Sequence, residues 1–184
     1  MKGYNFPFPF LYVRRFYDLV RMEDVGDWAE VLGYERILTT KDWIEIRGKK
    51  GEARKAVRTT RQDGKIPIFV AESIEEAKEG AWVEDTIMEI RTLIDMQVAH
   101  IMKDKNVRAL ITLEYMRRGF RELQNTARNI ILLHKARVPI LLASGARREE
   151  ELRAPRDIAA VGKILGMGIP MALAAVSDNW EGII

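Results

Sequence analysis

Short, almost wholly apolar runs recur along this sequence at the spacing of β-α units, and no other feature restricts the fold as strongly. Pro67 to Ala71 is one such run and Pro139 to Ala143 another. Runs without polar alternation are strands covered on both faces, the environment of a parallel sheet. Seven are expected, over residues 17–20, 36–40, 67–71, 86–90, 109–113, 139–143 and 171–176. Helical patterns separate them. Residues 22–32 place Val25, Trp28 and Leu32 on one face and stop at Gly33, a glycine C-cap. Ser73 and Glu76 form a capping box, with Gly80 as the stop. Residues 91–103 align Ile94, Val98 and Ile101, and residues 121–137 align Leu123, Ala127, Ile130 and His134. A last helix opens at Pro155, carries Ile158, Val161 and Ile164 on one face and closes at Gly166, before Pro170 opens the final strand.

Strand-helix alternation fits either a closed α/β barrel or an open doubly wound sheet, and periodicity does not choose between them. An eight-unit barrel takes about 250 residues, so a chain of 184 residues requires shortened helices or a missing unit. With 47% hydrophobic residues, no apolar run of membrane-spanning length and no internal linker, residues 1–184 are expected to form one soluble domain. The absence of cysteine suits a reducing compartment, so the expected location is cytoplasmic. The alternation of Phe6, Pro7, Phe8, Pro9 and Phe10 interrupts any signal-peptide helix. With Tyr4 and Tyr12 these aromatics plug one end of a barrel, dock on a partner or stack on bases.

Charge is distributed far less evenly than the net +3 suggests. Residues 47–70 hold eight basic side chains against two acidic ones, residues 71–90 one against seven, and residues 108–137 seven against two. Basic segments of this density attract polyanions, nucleic acid above all, while a solvated surface of mixed charge is the alternative that generates the same runs. The stretch 47–61 reads as a poorly amphipathic helix or a long loop carrying little core, and its Lys49, Lys50, Arg54, Lys55 and Arg58 are candidate RNA contacts. A second candidate surrounds the loop after the 139–143 strand. There Arg147, Arg148, Arg153 and Arg156 flank a helix N-terminus whose free N–H groups suit phosphate. The plainer alternative pairs Glu149 with Arg153, and Arg153 with Asp157, on an exposed helix.

Familiar catalytic constellations are missing. The two histidines, His100 and His134, stand far apart in sequence and border apolar helix faces, where core histidines are expected rather than ligands. No phosphate-binding loop, dinucleotide fingerprint or nucleophile elbow occurs. Gly162, Gly166 and Gly168 suit helix packing and capping. Glu84 with Asp85, and the run Glu149 to Glu151, lack convergent partners for a magnesium site.

The C-terminal third carries more specific motifs. They are P-I-L-L-A-S-G from Pro139, R-x-P-R-D-I from Arg153, G-x-x-x-G at Gly162 and Gly166, and A-x-A-A-x-S from Ala172 to Ser177. Upstream stands D-M-Q-V-A-H-I-M-K-D-K-N-V from Asp95 to Val107. Together they resemble the archaeal ribonuclease P protein component 3 family, which is shared with a eukaryotic ribonuclease P/MRP subunit. Before Asp95 the resemblance is one of strand-helix order. It implies a shortened TIM-barrel-like α/β fold, about seven parallel strands with surrounding helices, similar to the polymerase-and-histidinol-phosphatase barrel but without that group's metal ligands. It also implies a non-catalytic subunit of a ribonucleoprotein whose RNA removes the 5′ leader of precursor tRNA. Mg²⁺ would then serve the RNA, with no metal or cofactor held by the chain. Implied partners are the catalytic RNA and ribonuclease P protein component 2, in a two-plus-two heterotetramer, with precursor tRNA contacted indirectly and no membrane. A free-standing barrel-type phosphoesterase and a purely protein-binding scaffold stand as alternatives.

Overall fold

The computed structural model describes residues 14–183, so the aromatic segment with Tyr4, Phe6, Phe8, Phe10 and Tyr12 lies outside the described residues. Strand β1 (Tyr17–Leu19) pairs in parallel with β2 (Arg36–Leu38). A separate five-stranded parallel sheet follows chain order through β3 (Trp43–Ile46), β4 (Ile66–Ala71), β5 (Ile87–Ile90), β6 (Arg108–Thr112) and β7 (Ile140–Ala143). Helix α1 (Trp28–Leu32) joins β1 to β2, α2 (Lys50–Gln62) joins β3 to β4, and α3 (Ile74–Ala81) joins β4 to β5. After β5 comes α4 (Met96–Asp104), and after β6 come the short α5 (Leu113–Met116) and the long α6 (Phe120–Ala136). Helices α7 (Pro155–Ile164) and α8 (Ile169–Ala175) complete the chain.

Both sheet faces are buried, as near-continuous apolar strands require. One row of register partners, Ile46, Phe69, Met88, Ala109 and Ile140, faces the helices and packs on Ala77, Val98, Met102, Ile130, Leu133 and Ile158. The opposite face shares a second apolar cluster with the β1–β2 pair. Tyr17, Leu19 and Leu38 meet Trp43, Ile68, Val70, Ile87, Leu110, Leu141 and the fully buried Trp180. The sheet therefore wraps around an interior, while among the described residues its hydrogen-bond ladder does not close into a barrel.

Several sequence expectations need correction. The run 171–176 is not a strand: Ala and Leu are strong helix formers, Pro170 suits a first helical turn, and the segment folds as α8. Strand β3 is an addition to the expected set, and it starts only four residues after β2, too soon for a helical crossover. Of the helix expected over 22–32 only α1 forms, since the Asp24 carboxylate accepts a hydrogen bond from the Gly26 N–H at 3.0 Å and folds that stretch into a turn. Residues 47–61 fall largely in α2, and this helix does reach the core through Ala53 and Val57. The Ser73–Glu76 capping box is present, but Gly80 lies inside α3 rather than ending it. A Cβ there would stand 2.4 Å from the Phe69 ring, so glycine is what lets α3 lie directly on β4.

The predicted face of α6 is rotated. Thr126, Asn129, Ile130, Leu133 and Ala136 point inward, leaving His134 exposed, and His100 is exposed on α4. Polar residues take inward positions because their hydrogen bonds are satisfied there. Thr126 donates to the Glu122 carbonyl at 2.8 Å. Asn129 accepts from the Ile94 N–H at 3.0 Å and donates to the Thr92 carbonyl at 2.7 Å, pinning the loop after β5.

Side chains hold β1 to the five-stranded sheet. Fully buried Asp18 accepts from the Ser144 N–H and hydroxyl, each at 2.6 Å, and from the Leu19 N–H at 2.8 Å. The Trp43 indole N–H donates to the Val20 carbonyl at 3.1 Å. A closed ring of alternating charge crosses the same seam. Arg21 contacts Glu45 at 3.1 Å, Glu45 contacts Arg47 at 2.7 Å, and Arg47 contacts Glu72 at 3.1 Å. Glu72 then contacts Arg91 at 3.1 Å, Arg91 contacts Glu89 at 2.9 Å, and Glu89 returns to Arg21 at 2.5 Å. Thr112 donates to the other Glu89 oxygen at 3.0 Å, and the Arg21 guanidinium lies 5.3 Å from the Trp43 ring centroid.

Two outcomes are expected. Burial pushes the Asp18 carboxyl from 3.8 up to about 7, against the lowering effect of its hydrogen bonds from Ser144 and Leu19. Between those values the folded chain keeps a proton that the unfolded chain has released, so this group's contribution falls as pH rises through the window and is level above it. Asp18→Asn should remove that fall and exceed the parent in urea midpoint at pH 8. Asp18→Ala should lose about 1–3 kcal/mol per donor left unsatisfied. An identical pH slope for parent and Asp18→Asn would contradict this assignment. For the ring, Glu89→Gln removes the innermost carboxylate that Arg21 and Arg91 share, leaving them the more exposed Glu45 and Glu72, and should cost about 3–5 kcal/mol. Arg47→Gln, at a half-exposed position, should cost no more than about 1 kcal/mol in the same denaturation series.

Candidate nucleic-acid interface

Ligands of α/β folds dock at the C-terminal ends of the strands. Here that end is occupied by the Arg–Glu ring: Arg21 follows β1, Arg47 follows β3, Glu72 follows β4 and Arg91 follows β5. Hydrogen bonding to Arg47 dominates in lowering the Glu72 carboxyl to about 2. Burial pushes Glu45 up, but its hydrogen bonds from Arg47 and Arg21 outweigh burial and keep it below the ordinary carboxylate range. Glu114 extends the network, 3.0 Å from Arg118 and 3.5 Å from Arg147. Every one of these carboxylates is engaged by arginine, and among the described residues no group of three His, Cys, Asp or Glu could hold a metal ion. The strand C-termini therefore present ion pairs between guanidiniums and carboxylates rather than free carboxylates.

The arginine loop after β7 is partly consumed by its own glutamates. Residues Glu149–Glu151 form a 3₁₀ turn rather than the start of a helix. Glu151 accepts from the Arg147 N–H at 2.9 Å and from the Arg148 guanidinium at 3.3 Å, and also pairs with Arg117 at 3.1 Å. Arg153 turns back onto the Glu150 and Leu152 carbonyls at 2.9 and 2.6 Å. The alternative pairs, Glu149 with Arg153 and Arg153 with Asp157, do not form, because residue 149 precedes the helix that such spacing needs. Arg156 stands apart, with Lys163 at the rim of a small groove between α7 and α8. The loop thus brings Arg147 and Arg148 together around Glu151 and leaves Arg153 and Arg156 facing other neighbours.

Along α2 the balance differs. Ala53, Val57 and Thr60 face inward, so Lys49, Arg54, Lys55, Arg58 and Arg61 are exposed. Lys50 is the first residue of the helix. Arg54 is engaged by the Trp82 carbonyl at 3.2 Å and by Glu84 at 3.8 Å. Among the described residues Lys55 and Arg58 have no carboxylate within ion-pair distance. Arg54, Arg58 and Arg61 line one wall of an open groove of about 600 Å³, with Val83, Glu84 and Asp85 opposite. Acidic residues 71–90 therefore neutralise part of the basic stretch, through Glu72 on Arg47 and Glu84 on Arg54, and leave the outer turns of α2 positive.

A surface on α6 is absent from the sequence expectations. Phe120, Leu123 and Ile131 form an exposed stripe, Phe120 being 73% exposed, beside exposed Arg121, Arg128 and Lys135. The spacing 120, 123, 127, 131 is a helical stripe visible in sequence, but apolar periodicity assigns such a stripe to the inward face.

No protein-family model matches the chain, and no curated protein matches it. Among solved structures it is similar to a chain of the cryo-EM structure of archaeal ribonuclease P with mature tRNA, at a TM-score of 0.68 and 16% sequence identity. The likeness covers 94% of this chain and 81% of that one, and at this identity it is a likeness of fold.

Proposed function

We propose that this protein is a non-catalytic subunit of a ribonuclease P-type ribonucleoprotein in tRNA 5′ maturation. The observation that carries the reading is the fold shared over 94% of the chain with a chain of archaeal ribonuclease P. In this reading the partial α/β ring of strands is a shortened TIM-barrel-like scaffold whose mouth has exchanged metal-binding carboxylates for Arg–Glu pairs. RNA contacts fall to the flank, where Lys49, Lys50, Arg54, Lys55 and Arg58 on and beside α2 meet phosphates through long-range attraction and counterion release. Arg147, Arg148, Arg153 and Arg156 form a second contact region with RNA or with the partner protein. The catalytic RNA supplies Mg²⁺-dependent hydrolysis, and the chain itself binds no cofactor.

The protein partner in this reading is ribonuclease P component 2, assembled two-plus-two, and the apolar stripe of Phe120, Leu123 and Ile131 is the surface available to it. The compartment is the cytoplasm. A barrel-type phosphoesterase is disfavoured by a mouth in which three arginines neutralise the carboxylates that a metal would need.

Two measurements test this. Omitting the chain from a ribonuclease P particle reconstituted from RNA and proteins should lower precursor-tRNA cleavage several-fold at limiting Mg²⁺, and adding it back should restore the rate. Unchanged cleavage, or cleavage by the purified chain alone, contradicts the proposal. For the interface, replacing Lys49, Lys50, Arg54, Lys55 and Arg58 by Gln should flatten the slope of log affinity against log salt. The slope should change by about 0.7–0.9 for each phosphate that the substituted chain no longer neutralises. Arg54, already engaged by Glu84, should contribute least. An unchanged slope would make the α2 face a solvated surface.

A further inference from the structure

The pole of the sheet opposite the Arg–Glu ring carries a different kind of charge. A cavity of about 410 Å³ lies at the N-terminal ends of β4, β5 and β6, where Ile66, Ile87 and Arg108 begin their strands, and Gly182 closes it from the C-terminal side. Its volume is within the range of small-molecule sites. Arg61, Lys65 and Arg108 line it, with Asn106 beside them and Asp85 as the carboxylate among its described lining residues. The Asp85 side chain is engaged by the Asn106 amide at 2.8 Å, and its carbonyl accepts from Arg61. The basic groups contributed by β6, by the end of α2 and by the turn after it thus face one space, with an excess of two positive charges among its described lining residues.

Arg108 is the unusual member. It is half-buried on the first residue of β6, and the one hydrogen bond of its side chain among the described residues is a long contact of 3.5 Å to the Glu181 carbonyl. Burial lowers its pKa. A guanidinium held this way costs stability unless something anionic occupies the space in front of it. Lys65 likewise has no ion-pair partner among the described residues. The largely buried Arg21 and Arg91 share the Glu89 carboxylate, whereas the half-buried Arg108 has no carboxylate within ion-pair distance among the described residues.

We infer that this cavity is a binding site for a single phosphate dianion, held by Arg61, Lys65 and Arg108. An excess charge of two favours the dianion of a phosphomonoester, which carries about 1.5 to 2 negative charges at neutral pH, or of inorganic phosphate, whose dianion the site would draw out of the mixture of mono- and dianion. A phosphodiester carries one and leaves the cavity positive. Guanidinium forks from Arg61 and Arg108 can each donate two hydrogen bonds to phosphate oxygens, with the Lys65 ammonium as a point charge and the Asn106 amide nearby. The site is separate from the α2 flank in chemistry: it selects one terminal group, whereas the flank responds to the summed charge of a polymer. It does not depend on the ribonuclease P reading.

The test is isothermal titration of the full chain at fixed ionic strength with inorganic phosphate, a 5′-phosphorylated RNA oligonucleotide and the same oligonucleotide ending in 5′-hydroxyl. Saturable one-to-one binding of inorganic phosphate is expected, weakened about tenfold or more by Lys65→Met and by Arg108→Met, and unaffected by Lys55→Gln on the flank. Thermal melting of each variant without phosphate separates lost binding from lost folding. Lys65→Met, which removes a group with no described partner, is the variant expected to keep the parent's melting temperature. If the 5′-phosphorylated oligonucleotide displaces phosphate and the 5′-hydroxyl form does not, the source is a nucleic-acid end. If neither displaces it, the ligand is a small phosphate, and the site stands. No binding of inorganic phosphate, or binding indifferent to both Met substitutions, overturns the inference. Failure of ribonuclease P reconstitution leaves this result untouched, so the two proposals fail separately.

Discussion

Glu89 is a carboxylate on the wrong face of a strand, and much of the molecule is arranged around it. Its register partners on either side, Val70 and Leu110, belong to the interior apolar cluster, and the Glu89 side chain is 1% exposed. An ionised carboxylate in such a row is untenable without cations and donors supplied from outside it. Arg91 comes from the end of the same strand, Thr112 from the next strand, and Arg21 from the chain that leaves β1. Satisfying one buried charge thereby fixes where β1 must lie against the sheet. The remaining members, Glu45, Arg47 and Glu72, continue the alternation outward until the charges reach water.

This arrangement separates the surfaces by chemistry. The strand C-termini end in mutually neutralised pairs, so the excess positive charge of the chain appears on the outer turns of α2 and at the opposite pole. A 13-residue helix is about 20 Å long, and α2 runs from the C-terminal end of β3 to the N-terminal end of β4, so its basic stripe spans the height of the sheet. The α6 stripe lies on another side and offers apolar contact flanked by cations. The charged and apolar surfaces of the described residues thus lie on the flanks of the sheet and at one pole rather than in a single central cleft.

What can be read in the sequence is local. The β4, β5, β6 and β7 runs, the Ser73–Glu76 box and the start of α7 at Pro155 each depend on residues within a few positions of one another, and all are present. The apolar run 171–176 is ambiguous because strands and helices buried on both sides look alike over six residues. The α6 face defeats apolar periodicity because Thr126 and Asn129 are polar yet inward, their hydrogen bonds supplied by Glu122, Thr92 and Ile94. The charge ring is illegible for a different reason: Arg21 and Glu89 are 68 residues apart, and nothing in either neighbourhood marks them as partners. For the same reason the basic stretch is visible while its free members are not. Arg47 and Arg54 are consumed by Glu72 and Glu84, and only three-dimensional proximity distinguishes them from Lys55 and Arg58.

The seam between the β1–β2 ribbon and the five-stranded sheet has a mechanical consequence. Within each sheet, neighbours are joined by ladders of main-chain bonds, which are insensitive to salt and to single side-chain changes. Across the seam, over the apolar cluster that both sheets share, the polar contacts come largely from the Asp18 carboxylate, the Trp43 indole and guanidinium–carboxylate pairs, with a few main-chain bonds such as that from the Gly145 N–H to the Leu19 carbonyl. The polar half of this joint therefore depends on a few named side chains, and it responds to salt, pH and single substitutions in a way the ladders do not. A ligand or assembly partner that grips the ribbon on one side and the sheet on the other would act as a clasp, reinforcing the seam where, among the described residues, strands meet without a ladder.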